Sequence, residues 1–341
     1  MDFGSLTNRR DLFREALFLA TAFVAACFFF QLRVRYGDWF AGPKLFEEIA
    51  SRTGPKPWQY RILIPELANL LSHFKVPFIR GLFGWAKVLE LGFLFLMVVA
   101  FRRYLLLFIK DRTVTAILSF LILLVLPFQY FFPRPFHANY WYDTPSIFFF
   151  TLGLTFLHQR KWALYYPLFI VATFNRETTC FLTMILLFTS LGKERLTWIA
   201  GHCAAQFVIW MSIKTVLGRI FLNNTGVDGF EWYDGSGLTH YADNFRYFMN
   251  PKNYPAFFST MGYLWIPVLF GYHRIPNEFV RRSLWVVVPF FVGMFLVANI
   301  YELRLFVELV PLVLSAFFLI LIDLIKAMKT EPENPGGALS E

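Results

Sequence analysis

The sequence predicts an all-α, polytopic transmembrane helical bundle of about 10 crossings. Three observations carry that prediction: 57% hydrophobic residues with a mean hydropathy of +0.50, a charged share of 16%, and apolar runs of membrane-spanning length. Soluble domains carry about 25% charged residues, so a surface this poor in charge has to face hydrocarbon. Phe contributes 44 of the 341 residues, and the 20% aromatic share suits buried helices flanked by interfacial aromatic belts. The net charge of +9 does not indicate nucleic-acid binding, because the cations are scattered between apolar runs and form no stripe or module. Cys27, Cys180 and Cys203 each sit in an apolar run without metal-ligand spacing, and they read as packing residues.

The first apolar run follows Arg9, Arg10 and Arg14 as in a signal peptide, and Val24-Ala25-Ala26-Cys27 resembles a lipoprotein processing site. The run continues through Phe28, Phe29 and Phe30, however, which favours an uncleaved first membrane helix. The crossings are expected near residues 16–34, 82–101, 113–131, 144–157, 162–174, 178–191, 196–216, 257–272, 283–300 and 305–325. Several are short. The pair around Asn175-Arg176-Glu177 reads either as two helices or as one long kinked helix, and the choice flips everything after it.

Two long segments do not span. Residues 35–81 include an amphipathic stretch from Ile62 to Phe74, expected as a helix lying along the membrane surface. Residues 217–256 are rich in Asn, Gly, Asp and Tyr, and hold a formal glycosylation sequon at Asn223-Asn224-Thr225. The polar end reads as disordered, which divides the chain into one transmembrane domain (1–329) and a cytoplasmic tail (330–341). Short loops set the orientation. With both termini inside, the inner loops hold Arg102, Arg103, Lys110, Arg112, Arg160, Lys161, Lys193, Arg195, Arg274, Arg281, Arg282, Lys326 and Lys329, against Arg134, Arg176 and Arg304 in short outer turns. The bias vanishes if the two long outer segments are counted, because they are also basic; one physical reason for that excess is an anionic substrate.

Charged groups at membrane depth cost about 2.5–3.5 kcal/mol on insertion scales, so those that persist face a cavity or a partner. On the ten-helix reading the candidates gather on the outer side. Asp38, in Tyr36-Gly37-Asp38-Trp39, is either a solvated loop residue or a general base, or a ligand for a divalent metal such as Mg or Mn. Asp143, in Tyr140-Trp141-Tyr142-Asp143-Thr144-Pro145, also suits an N-cap of the following helix. His137 lies just upstream as a possible proton donor or a plain loop residue. Arg61, in Pro57-Trp58-Gln59-Tyr60-Arg61, is an interfacial anchor or a substrate contact. Arg176 and Glu177 are adjacent between apolar runs and form an ion pair or bind a phosphate. Glu302 and Arg304 are similar, with Arg304 and Glu308 spaced as an intrahelical clasp. Lys87 and Glu90 are expected to neutralise each other inside the bundle. His202 and Cys203 lack further ligands for zinc. No Walker loop, dinucleotide fingerprint, hydrolase elbow or metalloprotease helix is present.

An acidic residue in the first outer loop (Asp38), the long loop with its surface helix, the short mid-chain helices and the Arg61, Arg176-Glu177 and Glu302-x-Arg304 charges resemble the GT-C integral membrane glycosyltransferases. That resemblance covers the layout of most of the chain. Its implications are a polyprenyl-phosphate-sugar donor, no nucleotide fold, and work on the outer face of a bacterial inner membrane, in cell-envelope chemistry. It also implies Asp38 as base toward the acceptor, Arg176 and Arg304 on the lipid phosphate, and Glu177 and Glu302 orienting those arginines. The family often pairs two acidic residues in that loop, whereas here Glu47 and Glu48 lie some distance from Asp38. Trp39, Trp58, Tyr140, Trp232 and Tyr233 suit sugar stacking or an interfacial belt. Two other classes fit the same layout: a secondary transporter or lipid flippase, and a non-catalytic membrane assembly subunit.

Overall fold

Six helices in the computed structural model are long and apolar enough to cross a membrane: Arg9–Tyr36, Gly81–Leu105, Arg112–Tyr130, Leu196–Ile220, Glu278–Val297 and Leu303–Lys329. The chain is an integral membrane protein with a helical-bundle fold. The structure describes residues 9–36, 38–39, 42–132, 138–226 and 239–330.

Helix α1 (Arg9–Tyr36) leads through α2 (Gly42–Ala50) and α3 (Leu63–Ser72) into α4 (Gly81–Leu105). Helix α3 covers most of the amphipathic stretch expected as a helix from Ile62 to Phe74. It buries Ile64, Pro65 and Ala68 and leaves Leu70 exposed. Helix α5 (Arg112–Val125) starts where the Asp111 carboxylate accepts the Thr113 and Val114 N–H groups, satisfying donors that a first turn leaves without partners. Pro127 then opens the short α6 (Pro127–Tyr130). Helix α7 (Asp143–Gln159) ends at Arg160, whose φ of 54° turns the chain sharply into α8 (Trp162–Asn175).

Arg176 is extended (φ −160°, ψ 137°) and ends α8. A 3-10 turn over Glu177–Cys180 then starts α9 (Phe181–Ser190). Trp162, at the start of α8, lines the same cavity as Ser190, at the end of α9, so the two helices run in opposite directions. The alternative of one long kinked helix is thereby removed. At 14 and 10 residues they are shorter than the roughly 20 residues of a typical spanning helix.

Helix α10 (Leu196–Ile220) follows, then α11 (Thr239–Met249) and α12 (Tyr254–Phe258). The apolar stretch expected as one crossing at 257–272 is broken. Met261 and Gly262 adopt left-handed backbone (φ 57° and 62°) before α13 (Trp265–Phe270). Helices α14 (Glu278–Ser283) and α15 (Val287–Val297) form one nearly continuous rod, and a 3-10 segment Leu303–Leu309 feeds α16 (Val310–Thr330). This last apolar window is 83% buried, against 22–44% for the other five, so α16 is the central post around which the rest pack.

Helix ends are tied by ion pairs at one end of the bundle. Arg102 meets Glu15 at 2.7 Å, Lys193 meets Glu278 at 2.6 Å, and Arg274 meets Asp323 at 3.8 Å. His158 packs between the rings of Phe108 and Phe279, joining these contacts into one layer. The start of α1 and the end of α16 therefore share this end. Of the tail expected at 330–341, Thr330 is the last residue of α16, and residues 331–341 fall outside the described residues.

Helices α7 and α9 approach closely at Gly153, where an added Cβ would lie 2.5 Å from Leu182. Alanine can be accommodated there by a turn of the leucine side chain, whereas Gly153→Leu has to push α9 away. It is expected to cost about 1–3 kcal/mol, read as a lower melting temperature in detergent; an unchanged melt would mean the α7–α9 contact is not tight.

Candidate functional site

The end of the bundle opposite those ties gathers four arginines and five carboxylates among the described residues: Arg33, Arg61, Arg176 and Arg304 with Glu90, Asp143, Glu177, Glu302 and Glu308. The scaffold is the Tyr140-Trp141-Tyr142 loop that enters α7. The Asp143 carboxylate accepts the Tyr140 N–H at 3.3 Å, and the Asn175 side-chain amide donates to the Tyr142 carbonyl at 3.0 Å and to Ser146 Oγ at 2.9 Å. The loop is stapled to α8 where that helix stops.

Two arginines flank a tyrosine pair. The Arg61 guanidinium lies 4.4 Å above the Tyr142 ring, Tyr142 stacks on Tyr140 with centroids 5.1 Å apart and planes 24° apart, and Arg304 covers Tyr140 at 4.0 Å. Arg61 also donates to the Tyr142 hydroxyl. Each cation is held by a carboxylate: Arg61 by both Glu177 oxygens, at 3.2 and 3.4 Å, and Arg304 by Glu302. Burial works against the Arg61 charge, yet the facing Glu177 and Tyr142 carry its pKa above the ordinary value, so it stays a cation. Burial and the neighbouring Tyr142 likewise push the Tyr140 hydroxyl up, and it remains protonated at neutral pH.

A second layer lies beneath. Asp143 is shared between Arg304 at 3.5 Å and Arg176 at 3.6 Å, and Arg176 also meets Glu308 at 3.0 Å. The Thr178 hydroxyl donates to Glu308 at 2.6 Å. Deeper still, Arg33 is fully buried, ion-paired with Glu90 and 4.4 Å over the Tyr130 ring, and Thr144 donates to Glu90 at 2.6 Å. Accessibility separates the layers. The side chains of Arg61, Glu177 and Glu302 are 14%, 25% and 20% exposed and that of Arg304 is 8%, whereas Arg176, Asp143 and Glu308 are sealed at 3% or less.

Several expected pairings are corrected. Arg176 does not pair with the adjacent Glu177, because its extended backbone and the following turn send the two side chains to different neighbours. Arg304 does not clasp Glu308; it reaches Glu302 and Asp143, leaving Glu308 to Arg176. Lys87 lies against the Phe83 ring, and the partner of Glu90 is Arg33 from α1. Asp143 is the first residue of α7 and not its cap, which falls on Tyr142 without a side-chain bond. Glu177 orients Arg61 and not Arg176.

Asp38 and Trp39 form a two-residue strand, β1, paired in parallel with β2 (Ala138–Asn139), Asp38 facing Ala138. This brings the Asp38 backbone alongside the chain that enters the Tyr140 loop; its side chain, and that of Trp39, lie outside what the structure describes. His137, Trp232 and Tyr233 also lie outside the described residues. Glu48, by contrast, is held by Lys44 on the surface of α2.

Three members of the cluster lack a clear sequence signal. Arg33 resembles the other basic residues at a helix end, Tyr142 resembles belt aromatics, and Lys214, 4.8 Å over the Tyr60 ring, sits within an apolar helix without a spaced partner. Only the rarity of a charge in a spanning run marks Arg33 and Lys214. Among the described residues no three His, Cys, Asp or Glu come together as a metal-holding group.

No protein-family model, curated protein or solved structure matches the chain.

Proposed function

We propose that the chain is a membrane glycosyltransferase that moves a sugar from a polyprenyl-phosphate donor to an acceptor on the outer face of the membrane, at the rim formed by Arg61, Glu177, Glu302 and Arg304. The observation that carries this reading is the convergence of those residues, from three separated stretches of chain, beside the strand that holds the Asp38 backbone. The ten-crossing topology belongs to the same proposal. Helices α7, α8, α9 and the broken 254–270 region join the six long spans, with the chain termini inside and the charged rim outside.

In this reaction Asp38 takes the proton of the acceptor hydroxyl, whose oxygen attacks the anomeric carbon while the bond to the lipid phosphate breaks and the phosphate leaves with its electron pair. Arg61 and Arg304 face the departing charge, with their carboxylates fixing the guanidinium planes in advance. Such preorganised donors commonly supply several kcal/mol. Arg176, sealed between Asp143 and Glu308, is a positioning residue: through Asp143 it sets where Arg304 lies. Tyr140 and Tyr142 form the wall between the two cations.

The test is transfer of radiolabelled sugar from a panel of polyprenyl-phosphate donors by membranes holding matched amounts of protein. Asp38→Asn is expected to lose at least ~100-fold of the rate, the scale of a general base. Absence of transfer by the wild type across the panel would overturn the assignment. One observation favours a second reading, transport: the Arg33–Glu90 pair lies inside spanning helices, where ionisable residues often mark an ion pathway. Proton-coupled uptake into vesicles by the wild type, lost in Glu90→Gln, would select it.

A further inference from the structure

At the end of the bundle opposite the charged rim lies a cavity of about 300 Å³, bounded by the α7–α8 turn, the end of α9, the start of α10 and the start of α14. Its walls divide by chemistry. Arg160 and Lys193 supply cations, Trp162 and Trp198 supply flat aromatic faces, and Leu157 and Phe279 close the apolar side. The two tryptophans meet edge to face at 5.5 Å, and the Arg160 guanidinium lies 5.8 Å over Trp198. Indoles beside a cation at a helix end are what the membrane–water interface selects.

The charges are only partly spent within the protein. Arg160 is paired with Glu194 and Lys193 with Glu278, yet their side chains remain 57% and 38% exposed. A guanidinium has five N–H donors and an ammonium three, so both keep donors for a ligand. Lys161 and Arg195 stand at the same helix ends, exposed and without an ion pair among the described residues. Against these cations the neighbouring helix ends set two carboxylates, Glu194 and Glu278, the second of which also holds Arg282 at 2.8 Å.

We infer that this cavity binds the head group of an anionic phospholipid: the phosphate against Lys193 and Arg160, the glycerol against the indole pair, and the acyl chains leaving along the apolar wall into the bilayer. The shared chemistry is a phosphate ester, and the membrane-level apolar wall favours the lipid over a soluble ester. Basic pockets between helix ends are a known way of holding such head groups. The inference is independent of the function assigned to the charged rim. It identifies a lipid site at the other end of the bundle, where Glu278 competes with the ligand for Lys193.

The full-length protein, purified in detergent, would be titrated with phosphatidylglycerol or phosphatidylcholine and its lipid adducts quantified by native mass spectrometry. Wild type is expected to retain phosphatidylglycerol selectively. Lys193→Gln and Arg160→Gln should each bind it about fivefold more weakly, the effect of one cation near an anionic head group. Glu278→Gln, which frees Lys193 from its carboxylate, should bind it several-fold more tightly, a gain that mere structural damage would not produce. Arg246→Gln, an exposed cation on α11 at the other end, should change nothing. The inference fails if the two lipids are retained equally, if Glu278→Gln weakens retention, or if glycerol 3-phosphate at equal concentration displaces the lipid.

Discussion

Glu90→Ala is expected to be the most destabilising single replacement in the bundle, at about 3–5 kcal/mol, because it leaves the fully buried Arg33 guanidinium without its counter-charge. Two contacts that remain to Arg33 after the change are the Thr144 hydroxyl, at 2.5 Å, and the Tyr130 ring, neither of which carries charge. Thermal unfolding in a mild detergent would show this as a large fall in melting temperature or as loss of folded protein on extraction. The double replacement Arg33→Leu with Glu90→Leu removes both charges and is expected to recover most of the loss, since an apolar pair of similar volume often equals a buried ion pair. A double variant as unstable as Glu90→Ala would mean that the pair does more than neutralise itself.

Arg61→Ala is expected to act in the opposite manner, abolishing transfer while leaving the melt nearly intact. Arg61 sits at the accessible rim and leaves behind a partly exposed Glu177 that water and Lys214 can neutralise. Losing one preorganised donor toward a developing phosphate charge lowers the rate about 100- to 1,000-fold. Arg61→Lys keeps the charge but not the two-pronged grip on Glu177, so it should recover only part of the rate. The measurement is initial transfer rate and melting temperature on the same preparations. If the rate survives in Arg61→Ala, the rim does not meet the leaving phosphate; if rate and melt fall together, Arg61 belongs with Arg176 in the structural layer.

The two replacements differ because of burial. Both arginines are ion-paired, but Arg33 is shut inside the helices, whereas 14% of the Arg61 side chain meets solvent at the bundle end. Most of the site residues were legible as candidates. Arg61, Tyr140, Asp143, Arg176, Glu177, Glu302 and Arg304 all stand in the cluster, since a charge or polar aromatic next to a long apolar run is conspicuous in any linear reading. Their division into rim and sealed layer was not legible; it leaves Arg176 buried between Asp143 and Glu308, which is why the proposed reaction gives it a positioning role.

The sequence by itself determined that this is a helical membrane protein, where its apolar segments lie, and which polar residues need a reason to be there. These properties are local: a run of apolar side chains, a helix-starting Asp111 or an extended break at Arg176 depends on residues a few positions apart. Tertiary structure alone decided the partner of each charge. Arg33 finds Glu90 across 57 positions, Arg61 finds Glu177 across 116, Thr178 finds Glu308 across 130, and Arg304 reaches Asp143 across 161. Neighbours such as Arg176 and Glu177, or Arg304 and Glu308, look like pairs along the chain. Their side chains point where backbone direction and helix rotation send them, and in a low-dielectric interior each charge takes the counter-charge that packing brings closest.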